Sequence, residues 1–311
     1  MSPLVLALVL ASALLHVLWN TLVKQCGDKL SFAWLTTVAG NAVLLPALLA
    51  WGAWTTWTGS AGGGPLHGLS TEVLLWAAAS GLLETLYVIC LFKAYAAADL
   101  TVVYPVSRGA APVFTLALAG LLVGDVLSAQ QAVAVAVVVA GTLLVGLSGS
   151  PRPSLVKACA ATQRVTARGL GLSLATGVAI AGYHLTDRRA MGLSPAPDPL
   201  CYLFLMHLFM TLFITLWAWR RSRNLAALCS EWARSPRDVL LVAMFTPLSY
   251  FLIVLALREG NVVLVTAARN VGILFSTLAG AYILRERITR TRGWGSVLIM
   301  AGLAGMALLR G

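Results

Sequence analysis

Ten apolar stretches, each about long enough to cross a bilayer, run along the 311-residue chain. A spanning helix needs about 20 mostly apolar residues, because it rises about 1.5 Å per residue across roughly 30 Å of hydrocarbon. Such runs lie at about 3–24, 31–51, 71–97, 101–124, 128–148, 169–190, 199–219, 238–258, 261–284 and 290–309. The sequence therefore predicts an all-α integral membrane fold with ten transmembrane helices. Only 11% of the residues are charged and 59% are hydrophobic, against about a quarter charged in soluble domains. Lipid is the expected solvent. Trp51, Trp54 and Trp57 close the second run and Trp217 and Trp219 the seventh, where aromatic rings settle at a membrane interface. Met1 to Asn20 resembles a secretory signal, with Ala11-Ser12-Ala13 in the place of a cleavage site, but no basic segment precedes it. It is read as a retained first helix.

The net charge of +11 does not point to nucleic acid. The basic residues sit in short runs between apolar stretches, as the positive-inside bias requires of membrane loops. With residues at ambiguous run ends assigned to the loops, sixteen of the 22 fall on the side of the odd-numbered loops and four on the other, with Arg108 and Arg269 deep inside runs. That count places the odd loops in the cytoplasm and both termini outside a cytoplasmic membrane. The five cysteines are scattered without a CxxC pair, which fits neither a disulfide framework nor a zinc site. There is no Walker loop, no metal-binding pattern and no assignable Ser-His-Asp order. The expectation is no cofactor, no metal, no enzyme activity and no ATP-driven pumping.

The chain repeats itself. At an offset of 161, Arg108 falls on Arg269, Phe114 on Phe275, Asp125 on Glu286 and Ala140-Gly141 on Ala301-Gly302. Dropping two residues from the preceding loop places Tyr87 on Tyr250. The expected organisation is a first five-helix repeat over 1–148, a basic linker over 149–168 and a second five-helix repeat over 169–311. Five is odd, so the second repeat enters the membrane inverted, as in many secondary transporters. Gly124-Asp125 ends the fourth run, and Ser128-Ala-Gln-Gln131 has the pattern of a capping box for the fifth. Asp125 and Glu286 are expected to cap the helices that follow them. Gly62-Gly63-Gly64-Pro65 marks a loop, and the basic segment 220–237 reads either as a short helix on the membrane surface or as a solvated loop.

At this point the chain resembles the drug/metabolite transporter superfamily in its ten-helix EamA-like form. The resemblance is carried by His16-Val-Leu-Trp19-Asn20 followed by Lys24 in the first run. Gly124-Asp125-Val-Leu-Ser128 and Arg285-Glu286-Arg-Ile-Thr289 carry it before the closing helix of each half, with glycines following at Gly141, Gly293, Gly295 and Gly302. It implies a carrier that works by alternating access around a central site between the halves. Amino-acid exporters, nucleotide-sugar and triose-phosphate antiporters and choline carriers belong to that superfamily, so the resemblance hardly narrows the substrate.

Polar groups at membrane depth are costly and usually face a cavity or a partner. Arg108 and Arg269 lie about eight residues into their runs, roughly 12 Å from the helix start. Two guanidiniums around one pseudo-two-fold axis would bind a carboxylate or phosphate, which their forks match bidentately; the alternative is that each pairs with an internal acid. Pro105 and Pro112 flank Arg108 and would kink its helix. Glu84, the acid at mid-depth, has three readings: a proton site, a hold on a substrate amine, or a partner for an arginine. Tyr87 lies one turn on, with Tyr250 as its proposed counterpart. His16, with Asn20 on the same helix face, together with His184 and His207, could donate to substrate or relay protons, or pack. Trp19 could stack on a substrate or pack. Lys24, Asp187 and Arg188 stand at helix ends, as gate salt bridges or interface anchors. Gly177, Gly182 and Gly280 are expected to permit close helix packing.

Three functions follow. The favoured one is a secondary transporter for a small anionic or zwitterionic metabolite: an amino acid, a phosphonate or a phosphate ester. Arg108 and Arg269 would hold the negative group, and Glu84, His16, Asn20 and the tyrosines the rest. The second is an exporter of small organic cations that uses Glu84. The third is a membrane enzyme or lipid-handling protein. The expected partners are a small-molecule substrate and the bilayer, with no nucleic acid, in a monomer or homodimer.

Overall fold

The computed structural model describes residues 1–23, 28–59, 64–97, 100–147, 166–222, 229–282 and 289–309. Among them are twelve helical segments and no strand: α1 (Pro3–Val23), α2 (Lys29–Thr58), α3 (Thr71–Ala97), α4 (Leu100–Leu122), α5 (Ala129–Leu147), α6 (Ala167–Met191), α7 (Pro199–Ser222), α8 (Ser230–Arg234), α9 (Pro236–Glu259), α10 (Val262–Ala268), α11 (Val271–Tyr282) and α12 (Arg290–Leu308). Over its described residues each apolar run is helical, and the ninth is split in two. Six of the described helical stretches, within α2, α3, α4, α5, α7 and α9, are long and apolar enough to cross a membrane by length and composition. Shorter apolar stretches cover Pro3–Trp19 and Val262–Leu278. α6 carries Arg168, Asp187, Arg188 and Arg189, and α12 begins on Arg290 and Arg292.

Sequence explains the helix ends. The expected capping box is present: the Ser128 amide donates to Gln131 Oε1 (3.1 Å) and the Gln131 amide to Ser128 Oγ (3.3 Å). At the equivalent place in the second repeat, Thr289 caps α12 by accepting from the Arg292 amide. α2 runs seven residues past its expected end because nothing breaks it before Gly59, which adopts a left-handed φ of 61° and returns its amide to Thr55. Asp125 departs from expectation. Its carboxylate accepts from the Val262 amide at 2.8 Å, in the first turn of α10, whose cap is Asn261, accepting from the Val263 and Leu264 amides. Ser128 already occupies the α5 cap. Glu286, Lys24, Gly62, Gly63 and most of the linker lie outside the described residues, as do 223–228 of the basic segment, of which Ser230–Arg234 is a short helix.

The chain forms two compact units. Unit 1 holds Met1–Ala13, Leu86–Ala181 and Gly260–Gly311; unit 2 holds Leu14–Thr85 and Gly182–Glu259. Neither is one half of the sequence. Each takes matching pieces of both halves, and α1, α3 and α6 contribute to both units.

Within unit 1, α5 lies against α12 along a glycine seam. A Cβ on Gly141 would stand 2.7 Å from the Gly295 carbonyl and 2.8 Å from the Ile299 amide. One on Gly302 would stand 2.7 Å from the Ala134 carbonyl and 3.0 Å from the Val138 amide. Adding 161 turns 134 into 295, 138 into 299 and 141 into 302. The contacts of the seam are therefore reciprocal at an offset of 161 residues. Within unit 2, α2 packs on α7 and α9. Asn41 Nδ2 donates to Thr211 Oγ1 (2.7 Å) and Trp34 Nε1 to Thr215 Oγ1 (2.9 Å), joining α2 to α7 by polar bonds.

Gly141→Ala and Gly302→Ala should each destabilise the protein by about 1–3 kcal/mol, because a backbone atom rather than a movable side chain blocks the new methyl. Gly293→Ala on α12 opens into free space and should be neutral or slightly stabilising. Thermal unfolding of the detergent-purified protein checks this, and equal effects at all three positions would contradict the seam.

Candidate functional site

Two polar centres occupy the units. In unit 2 the centre is Asp187, near the C-terminal end of α6. Its side chain is fully buried, although its position near the end of an apolar run suggested a gate or interface anchor. Tyr202, in the first turn of α7, donates its hydroxyl to Asp187 Oδ1 at 2.7 Å, and Tyr250, in α9, donates to Oδ2. Each carboxylate oxygen thus accepts a phenolic proton. Hydrogen bonds to a charged acceptor contribute about 1.5–3 kcal/mol each, which offsets part of the several kcal/mol that burying a carboxylate costs.

Aromatic rings wall this centre. Tyr183 meets Tyr250 edge-on (centroids 5.8 Å apart) and His184 likewise (4.7 Å). α3 supplies the remaining polar groups. Gly81 lets α3 approach α7 until a Cβ there would stand 2.7 Å from both the Met206 carbonyl and the Met210 amide. That approach brings Ser80 and Glu84, one turn apart, within interaction range of Tyr202. The Ser80 hydroxyl is fully buried and approaches Tyr202 without completing a hydrogen bond. Arg188 turns to the end of α9, donating to the carbonyls of Leu257 (2.9 Å) and Arg258 (3.2 Å). Those carbonyls have no partner in the next helical turn.

The centre of unit 1 is Arg108 on α4, with its residue only 9% exposed. Close neighbours surround its backbone. Gly177 of α6 leaves room for Ser107 and Ala110, and Gly109 faces Leu143 of α5. Asn270 Nδ2 donates to the Arg108 carbonyl at 3.3 Å. Asn270 follows Arg269, and these two residues form the break between α10 and α11. There the backbone tightens, with amides reaching back three residues from Asn270 to Ala267, Gly272 to Arg269 and Ile273 to Asn270. The two repeat-equivalent arginines are thus brought to neighbouring places in one unit, with Arg269 on a helix interruption.

The other predicted residues fall as follows. His16 and Trp19 meet edge-on at 4.6 Å, and Trp19 packs against Phe32, Val239 and Val242. Asn20 lies in α1, but its side chain is outside the description. Tyr87 is half-buried on α3. His207 is buried in α7 against Gly40, where a Cβ would stand 2.8 Å from its ring, and its Nδ1 lacks a hydrogen-bond partner. Gly177 and Gly182 permit close packing as expected, the latter against Leu83.

Tyr202, Ser80 and Asn270 were not singled out from sequence. The signal for Tyr202 was the short connection between α6 and α7. Asp187 stands four residues before the end of α6 and Tyr202 three residues after the start of α7, so an antiparallel hairpin sets them face to face. Among the described residues no group of three or more His, Cys, Asp or Glu could hold a metal ion.

Residues 167–308 match the EamA-like transporter family. No curated protein matches the chain. A crystal structure of another protein superposes with a TM-score of 0.68 at 18% identity, covering 98% of this chain and 97% of that one; the likeness is one of fold.

Tyr202→Phe removes one donor from a buried carboxylate and should cost about 1–3 kcal/mol. In an Asp187→Leu background, with no carboxylate to satisfy, the same change should cost much less. A double-mutant cycle on unfolding measures the difference; equal costs in both backgrounds would show that this bond does not hold the centre.

Proposed function

We propose that this chain is a transporter of the EamA-like family, whose model matches residues 167–308, and that it carries a small anionic or zwitterionic metabolite by alternating access. The substrate classes that fit are amino acids, phosphonates and phosphate esters. The proposed architecture is ten helices in two inverted five-helix repeats, with the central site between the repeats and Arg108 and Arg269 holding the negative group. The observation that carries this reading is the pairing of the two arginines. They are equivalent at the 161-residue offset that also relates the two sides of the α5–α12 seam. The bond from Asn270 to the Arg108 carbonyl ties α4 to the helix break at Arg269. Interrupted helices expose backbone groups beside transporter sites, and paired guanidinium forks match carboxylate and phosphate oxygens. The charge count favours a cytoplasmic membrane with both termini outside.

A second reading has one observation in its favour. Glu84 stands on α3 in unit 2, which also holds the buried Asp187, and acids at membrane depth suit an organic cation. The two readings part on ligand charge and on which residues matter.

Thermal stability of the purified protein against a panel of anions, zwitterions and cations tests both. A ligand that binds only the native state stabilises it by about 2.7 kcal/mol at a hundred times its dissociation constant. An anion or zwitterion should stabilise the wild type. Arg108→Ala or Arg269→Ala should weaken that binding about ten- to a hundred-fold, the worth of a charge-assisted hydrogen bond. Stabilisation by cations alone, lost in Glu84→Gln and indifferent to the arginines, would replace this reading with the second.

A further inference from the structure

We propose that a groove between α2 and α9 in unit 2 holds one zwitterionic phospholipid, with its phosphate on Arg258 and its ammonium on Asp198. The ligand is a resident lipid rather than a transported compound, so the inference goes beyond the transport reading above and does not rest on it.

The groove has a volume of about 680 Å³. Its apolar floor is Ala47 and Ala50 of α2 with Phe251 and Leu255 of α9. Its polar rim is Trp51 and Trp54 of α2, Asp198 at the start of α7 and Arg258 of α9. On each helix the lining residues stand three or four apart, so they share one face. The groove exists because α2 presents the small, exposed Ala47 and Ala50 to it. Both helices grade in the same sense, from apolar to polar toward their C-terminal ends. The seven residues from Ala47 to Trp54, and from Phe251 to Arg258, each span about 10 Å. Trp51 and Trp54 are 39% and 55% exposed, and such rings settle at headgroup depth. An apolar floor with a tryptophan-lined polar rim has the amphipathy of a lipid.

The rim also carries charges of both signs. Asp198 Oδ1 accepts from the Leu200 and Cys201 amides, and Oδ2 accepts from Trp51 Nε1 at 3.0 Å. These bonds fix the carboxylate, and because it has about four acceptor positions, Oδ2 retains one for an ammonium. Trp54 offers a ring face to the same cation. Arg258 Nε stands 3.7 Å from the carboxylate of its neighbour Glu259, with the two side chains 44% and 54% exposed. So exposed a pair contributes little, and the terminal guanidinium nitrogens match phosphate oxygens bidentately. A purely anionic headgroup would meet Asp198 and a cationic amphiphile would meet Arg258. A zwitterion satisfies both.

Native mass spectrometry of the whole protein, released from detergent with added phosphatidylethanolamine or phosphatidylglycerol, tests this. The wild type should retain one phosphatidylethanolamine and bind it about ten-fold more tightly than phosphatidylglycerol, the worth of a charge-assisted hydrogen bond. Asp198→Asn, whose amide oxygen can still cap α7, should erase that preference by weakening the first lipid and strengthening the second. Arg258→Gln, an exposed change that supplies the answer even if Asp198→Asn does not fold, should weaken both. Ala50→Phe, which fills the groove and leaves its charges in place, should abolish the retained lipid. Equal or tighter binding of phosphatidylglycerol by the wild type would overturn the site. So would phosphatidylethanolamine binding that is indifferent to Arg258→Gln and Ala50→Phe, or a dimer that retains no lipid. None of these outcomes bears on whether the protein transports an anion or zwitterion.

Discussion

Helices in hydrocarbon gain nothing by hiding apolar side chains from one another, because lipid tails are as apolar as leucine. What holds such a chain is close approach and the pairing of every polar group that lipid cannot serve. Both are visible here. The α5–α12 seam brings backbones together where Gly141, Gly295 and Gly302 lack a Cβ. Serine and threonine side chains on the helices return their hydroxyls to the carbonyl four residues back, as Thr85, Ser107, Thr115, Thr142, Ser173 and Thr266 do. That habit gives each hydroxyl a partner on its own helix, and among the described residues Asn41, Trp34 and Asn270 make direct polar bonds between helices.

Against that background the costly groups stand out. Asp187 sits buried with two phenolic donors, and Arg108 sits in a helix packed closely by α5 and α6. Burying such groups costs several kcal/mol unless each is paired. The centre of unit 1 is basic and repeat-related. The centre of unit 2 is acidic and phenolic, built on Asp187, Tyr202 and Tyr250.

Much of the fold was legible because helix length and capping are local. The apolar runs marked the helices, and Ser128 with Gln131 announced its capping box. Asp187 was harder to place. Its position near the end of a run suggested a gate salt bridge or an interface anchor, and its burial is set by neighbours on other helices. Tyr202 was not singled out, because only the fold brings it to Asp187. The break at Arg269 left no proline or glycine signal; Asn270, whose side chain serves the Arg108 carbonyl, marks it. Asp125 was read as a local cap because sequence favours the nearest helix, whereas its amide partner is Val262.

The account stands most directly on counterflow in proteoliposomes. Vesicles loaded with one unlabelled compound are placed in a trace of its labelled form, across a panel of amino acids, phosphonates, phosphate esters and quaternary amines. A carrier that exposes one site alternately accumulates label transiently, and the account predicts this for an anionic or zwitterionic compound and not for the amines. Counterflow of the amines alone, or label that merely equilibrates for every compound, would contradict it.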